Sequence, residues 1–124
     1  MPTKFPQGFP QRGEIYLVDF DPSRGSEQAG MRPAVVVSHD AINRSSPTVV
    51  VAAMTRTIPT KDYPQNVHLE AGSPLKDAGT ILGAQLITVD KSRLVRRRGE
   101  LPPSKVRELG EALRAALDIR GIRQ

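Results

Sequence analysis

Two short apolar runs constrain this chain most: AVVVS at residues 34–38 and TVVVAAM at residues 48–54. Each is rich in β-branched side chains and too short for a buried helix, so each reads as a strand. Neither alternates with polar residues, which implies cover on both faces. The flanking text continues the pattern. Residues 14–20 (EIYLVDF) form a strand closed by Asp21-Pro22, and residues 66–70 (NVHLE) alternate as a half-exposed strand does. Residues 80–90 (TILGAQLITVD) read as a longer strand, whose internal Gly83 implies a bulge or the close approach of another backbone. Residues 40–43 fit one turn of helix before Pro47.

Near the end of the chain the period changes. Val106, Leu109, Leu113, Ala116 and Leu117 share one face of an α-helix, with Ser104 as its N-cap after two prolines. Strands first and one clear helix last predict a mostly-β α+β fold: an antiparallel barrel or sandwich with a C-terminal α-helix packed on it. At 124 residues the chain is one domain, long enough to bury roughly two-thirds of its unfolded surface. The expected division is a flexible, proline-rich arm over 1–11, a single domain over 12–119 and a tail over 120–124.

Composition removes several function classes. There is no cysteine, hence no disulfide scaffold, thiolate zinc site or thiol catalysis. The apolar runs fall far short of the roughly 20 residues a bilayer requires, and the first ten residues hold no apolar signal segment. A cytoplasmic protein without membrane contact is expected. Lys plus Arg number 18 against 13 Asp plus Glu, a formal charge of +5, and most of the excess lies in residues 61–124. Such a balance favours polyanion partners. With no Trp, three Phe and two Tyr, base-stacking platforms are poorly supplied. His39 and His68 lie far apart with no ligand spacing, so both read as structural, and no metal or cofactor is expected. Serine-hydrolase, NTPase and dinucleotide motifs are absent from the sequence.

One loop stands out. Pro22, Gly25, Glu27, Gly30, Arg32 and Pro33 spell P-x-x-G-x-E-x-x-G-x-R-P, running directly into AVVVS. Six such positions match by chance on the order of once in ten million starts. Here the chain resembles the MazF/PemK family of toxin endoribonucleases. The likeness extends to Arg12-Gly13-Glu14-Ile15, to Asn43 and Ser46-Pro47-Thr48 leading into VVVAAMT, and to Gln85 with the Val89-Asp90-Lys91-x-Arg93-Leu94 stretch.

The resemblance implies a small SH3-like antiparallel β-barrel of the MazF/PemK/CcdB type that works as a homodimer. It implies cleavage of single-stranded RNA, mRNA foremost, at short motifs without metal, and restraint by a cognate acidic antitoxin. The family's catalytic arginine falls on Arg32 and its catalytic threonine on Thr55. Substrate-side positions fall on Ser26, Gln85, Glu27 and Arg56, with Glu27 read as an acceptor that organises the loop. Gly25 and Gly30 serve backbone conformation.

The chemistry is coherent from below. RNA carries its own nucleophile, the 2′-hydroxyl, so the enzyme must align it with the departing 5′-oxygen and stabilise charge on a pentacoordinate phosphate. A guanidinium presents a permanent charge and a fork of donors for that purpose. Products with 2′,3′-cyclic phosphate and 5′-hydroxyl ends follow. Blander readings exist: Arg32 as a strand-entry arginine paired with Glu27, Thr55 as a strand-end residue. The Arg96–Arg98 run reads as a solvated face, an extension of the phosphate footprint or a receiver for an acidic antitoxin. Ala84 and Ile87 depart from the charged residues common in the family, which bears on substrate preference. The rival functions are a CcdB-like toxin that binds DNA gyrase without catalysis, and a nucleic-acid-binding regulator.

Overall fold

The computed structural model describes residues 4–20 and 30–120. Six strands and two helices follow one another: β1 (Glu14–Asp19), β2 (Met31–Val36), α1 (Asp40–Ser45), β3 (Thr48–Thr55), β4 (Asn66–Leu69), β5 (Gly79–Asp90), β6 (Leu94–Glu100) and α2 (Pro103–Leu117). All neighbouring strands pair antiparallel, in the order β4-β5-β3-β2-β1-β6. The mostly-β class, the antiparallel pairing and the packed C-terminal helix agree with the sequence. None of the described helices is long and apolar enough to cross a membrane.

The uninterrupted apolar runs are covered on both faces. On one side Val35, Ala52, Met54, Val67 and Ile81 pack against Leu109 and Ala112 of α2. On the other, Ala34, Val36, Val49 and Val51 meet Tyr16, Val18, Val89 and Leu94. Successive residues of β2 and β3 thus point into different clusters, as the two-residue period of a strand requires. Leu109 is fully buried, which contributes about 2 kcal/mol relative to exposure.

Gly83 fulfils both expectations at once. The β3–β5 register jumps between Ala52↔Leu86 and Met54↔Ile81, so β5 bends there. The Gly83 N–H donates to Gln65 O at 2.8 Å, and a Cβ on Gly83 would lie 2.4 Å from that oxygen.

Two local readings are corrected. The α2 N-cap is Pro102 rather than Ser104, and no side chain caps the helix. Pro103 takes the first helical position, where its missing N–H is unneeded and its φ is pre-set. The strand β6 was not anticipated, because LVRRRGE reads as a solvated charge run. Ahead of β1, the Phe5 ring meets Tyr16 edge-on at 5.7 Å, and Arg44 lies 5.3 Å from the Phe9 ring centroid.

Candidate active site

The candidate cleft opens where the sheet splits. The β2–β3 ladder ends at Ala34↔Ala53. Beyond that pair β2 stays with β1 through Pro33, Arg32 and Met31, while β3 stays with β5 through Met54 and Thr55. Pro33 has no N–H to donate, and it sits just where β2 no longer pairs with β3. Carrying the β2–β3 register two residues further sets Arg32 opposite Thr55. Both line a cleft of about 740 Å³.

The cleft walls come from five segments: Leu17 of β1, Met31 to Pro33, Met54 to Thr57, Leu75 to Gly79, and Arg98 of β6. Four cationic side chains, Arg32, Arg56, Lys76 and Arg98, face one carboxylate, Asp77. The cleft therefore attracts anions. Arg32 is exposed and makes no ion pair among the described residues. Thr55 is half-buried, and its Oγ1 accepts the Thr57 N–H at 3.1 Å. That bond uses a lone pair and leaves the O–H free to donate. Gly79 seals the floor, since a Cβ there would sit 3.0 Å from Thr55 O. Arg56 is 86% exposed and only loosely tied to Asp77, at 3.9 Å.

Of the six residues singled out from sequence, the fold gathers Arg32, Thr55 and Arg56. Gln85 is exposed on β5 just past the Gly83 bend and is not among the cleft-lining residues. Ser26 and Glu27 lie outside the described residues. Sequence reasoning missed Lys76 and Asp77, which carry no motif; of the Arg96–Arg98 run, read as a solvated face, a phosphate footprint or an antitoxin receiver, Arg98 lines the cleft.

The arginine run divides by role. Arg97 Nε donates to Glu14 at 2.8 Å and Nη2 donates to Glu100 at 2.6 Å. Glu14 is buried, and also accepts from the Gln11 N–H at 2.7 Å and the Tyr16 hydroxyl at 2.9 Å. The Arg97 guanidinium is held above its ordinary range, chiefly by the bond to Glu14. Burial, reinforced by Glu14, pushes the Tyr16 phenol well above its usual value of 10.0. Arg97 is thus a structural member of this network.

Both histidines are occupied locally. His39 Nδ1 caps α1 by accepting the Ala41 N–H at 2.9 Å, and His68 Nδ1 lies 3.0 Å from Thr80 Oγ1. Among the described residues, no three His, Asp or Glu side chains come together as a metal-binding group.

Comparison with known proteins identifies the family and the fold. A family model described as PemK-like, MazF-like toxin of type II toxin–antitoxin systems matches residues 11–117. The Endoribonuclease MazF of Staphylococcus saprophyticus is 39% identical over 114 residues, which are 91% of this chain and 95% of that protein. An endoribonuclease from a mycobacterial species, solved in complex with its cognate antitoxin, superposes with a TM-score of 0.75 at 26% identity, over 91% of this chain and 99% of that one. MazF from Deinococcus radiodurans gives a TM-score of 0.71 at 28% identity, over 90% of this chain and 98% of that one. The six-stranded sheet and C-terminal helix are those of MazF structures, and the chain belongs to the PemK-like, MazF-like toxins of type II toxin–antitoxin systems.

Proposed function

We propose that this chain is an endoribonuclease toxin that cuts single-stranded RNA, mRNA foremost, at short sequence motifs and is held inactive by an acidic antitoxin. The observation that carries the reading is the meeting of Arg32 and Thr55 at one split in the sheet, inside a cationic cleft. A scissile phosphodiester seated between them meets a guanidinium fork on one side and a donating hydroxyl on the other. Arg32 stabilises the charge that develops on the pentacoordinate phosphate. Thr55 donates to a phosphate oxygen and fixes it against the 2′-hydroxyl. The 2′-hydroxyl attacks phosphorus, the 5′-oxygen leaves with a proton, and the products are a 2′,3′-cyclic phosphate and a 5′-hydroxyl. Because the nucleophile belongs to the substrate, no metal-activated water is required.

Arg56 and Gln85 serve substrate on the reacting strand's flanks, as do Ser26 and Glu27, which precede β2 in sequence. A homodimer is the working unit, and Leu117 at the end of α2 and Ile119 just beyond it, each more than half exposed, are available for association.

The test uses purified protein, mixed-sequence RNA and EDTA, with the 5′ ends of fragments sequenced and Arg32→Ala run in parallel. Discrete cuts at a shared motif, absent with the variant, are expected. Intact RNA over a wide range of sequences would overturn the reading in favour of a binding-type toxin.

A further inference from the structure

We propose that Arg98 holds a phosphodiester adjacent to the one that is cut, making β6 a binding strip for RNA that takes no part in the chemistry. The inference rests on the ribonuclease reading and extends it. The observation is a register step. Along β1 the partners on β6 pass from Ile15↔Gly99 directly to Tyr16↔Arg97, so Arg98 is an extra residue with no partner on β1. A bulge of this kind bends its strand and re-aims a side chain. Neighbouring arginines serve different surroundings here: Arg97 turns to Glu14 and Glu100, while Arg98, at the bulge, lines the cleft that holds Arg32 and Thr55.

The following residue makes the bulge possible. Gly99 has a φ of 154°, an angle L side chains rarely adopt, and a Cβ on it would stand 3.4 Å from Pro74 Cβ. That close approach keeps the segment carrying Leu75 and Lys76 beside β6, on the same cleft.

Arg98 is exposed and has no carboxylate partner among the described residues, whereas Arg56 has Asp77. An unneutralised guanidinium beside further cations is suited to a polyanion, and RNA offers phosphates at regular intervals. Arg32 projects from β2 at the split and Arg98 from β6 at the far edge of the sheet, so the two meet different phosphates. A contact made alike before and during the reaction strengthens binding and leaves kcat unchanged.

The test measures KM and kcat on an oligoribonucleotide spanning a cleavage site and on the shortest fragment that is still cut. Affinity for a labelled, non-cleavable oligonucleotide with 2′-deoxy at the cleaved position is measured over a range of salt. Arg98→Ala is expected to raise KM and Kd roughly 3- to 10-fold on the long substrate with kcat unchanged. It should also reduce the slope of log affinity against log salt by about 0.7. Arg98→Lys should recover most of the loss, and the shortest substrate should show none of it. Arg107→Ala removes one exposed charge from α2 and should change neither quantity.

Unchanged Kd and salt slope in Arg98→Ala, or a loss equal to that in Arg107→Ala, would overturn the inference. So would weaker binding of an acidic antitoxin peptide with RNA affinity intact, which would assign Arg98 to a protein partner. Wild-type protein that binds RNA through Arg98 without cutting it would overturn the ribonuclease reading alone.

Discussion

Arg32 and Thr55 stand on the two prongs of a single split in the sheet, each held in place by a strand that stays paired on its outer side. Arg32 is fixed by Val18 of β1, and Thr55 by Thr80 of β5. Their spacing is therefore set by backbone ladders on both sides rather than by loops. Arg32→Ala is expected to lower kcat about 10²- to 10³-fold with the fold intact by circular dichroism. Arg32→Lys keeps a point charge but loses the fork, and should recover only part of that loss. Thr55→Ala should lower kcat about 10- to 100-fold, with Thr55→Ser largely restoring it, because the hydroxyl is what acts.

Glu14 ties the start of the domain to its edge strand. It accepts from Gln11, Tyr16 and Arg97, the last of these 83 residues away. Glu14→Ala leaves the buried Tyr16 phenol without its acceptor and the partly buried Arg97 guanidinium with Glu100 alone. A loss of about 2–4 kcal/mol is expected by urea denaturation, below the value for a fully buried pair because Arg97 keeps some contact with water.

Tyr16 makes stability fall at alkaline pH. Its phenol is raised in the folded chain by burial first and Glu14 second, so native protein retains a proton that the unfolded chain releases near 10.0. The stabilisation is complete below that pH and is lost as pH rises through the folded value. Chemical denaturation across this range should show a declining midpoint, and Tyr16→Phe should flatten the decline.

Much of the fold was legible in the sequence because its signals are local. AVVVS and TVVVAAM declare strands covered on both faces, and each one is. Arg32 and Thr55 were singled out by the loop motif and the strand end, and the sheet brings them together. Gln85 is singled out with them by the family pattern, yet it lies on an exposed stretch of β5 outside the cleft lining. What was not legible depends on distant partners. The β6 strand looks solvated until Glu14 is seen to accept from Arg97, and Arg98 is aimed by a register step that only pairing with β1 creates. The Pro102 cap was missed because serine is the commoner cap chemically, whereas Pro103 fixes the helix start by its own ring.

Gly83 admits no side chain. A Cβ would meet the Gln65 carbonyl oxygen at 2.4 Å, and a backbone oxygen cannot swing aside as a side-chain tip can. Gly83→Ala is expected to destabilise by about 1–3 kcal/mol, read as a lower melting temperature. RNA cleavage per folded molecule should be largely kept, because Arg32 is held by β1 and Thr55 pairs with Thr80, three residues before Gly83 on β5.

The most direct test of the central claim replaces one atom of the substrate. An RNA with a single 2′-deoxy nucleotide at the cleaved position is offered beside its all-ribose counterpart, in EDTA. Binding of both, with cleavage of the ribose form alone to a 2′,3′-cyclic phosphate, is the result predicted if the 2′-hydroxyl is the nucleophile. Cleavage of the deoxy form at the same bond would contradict it.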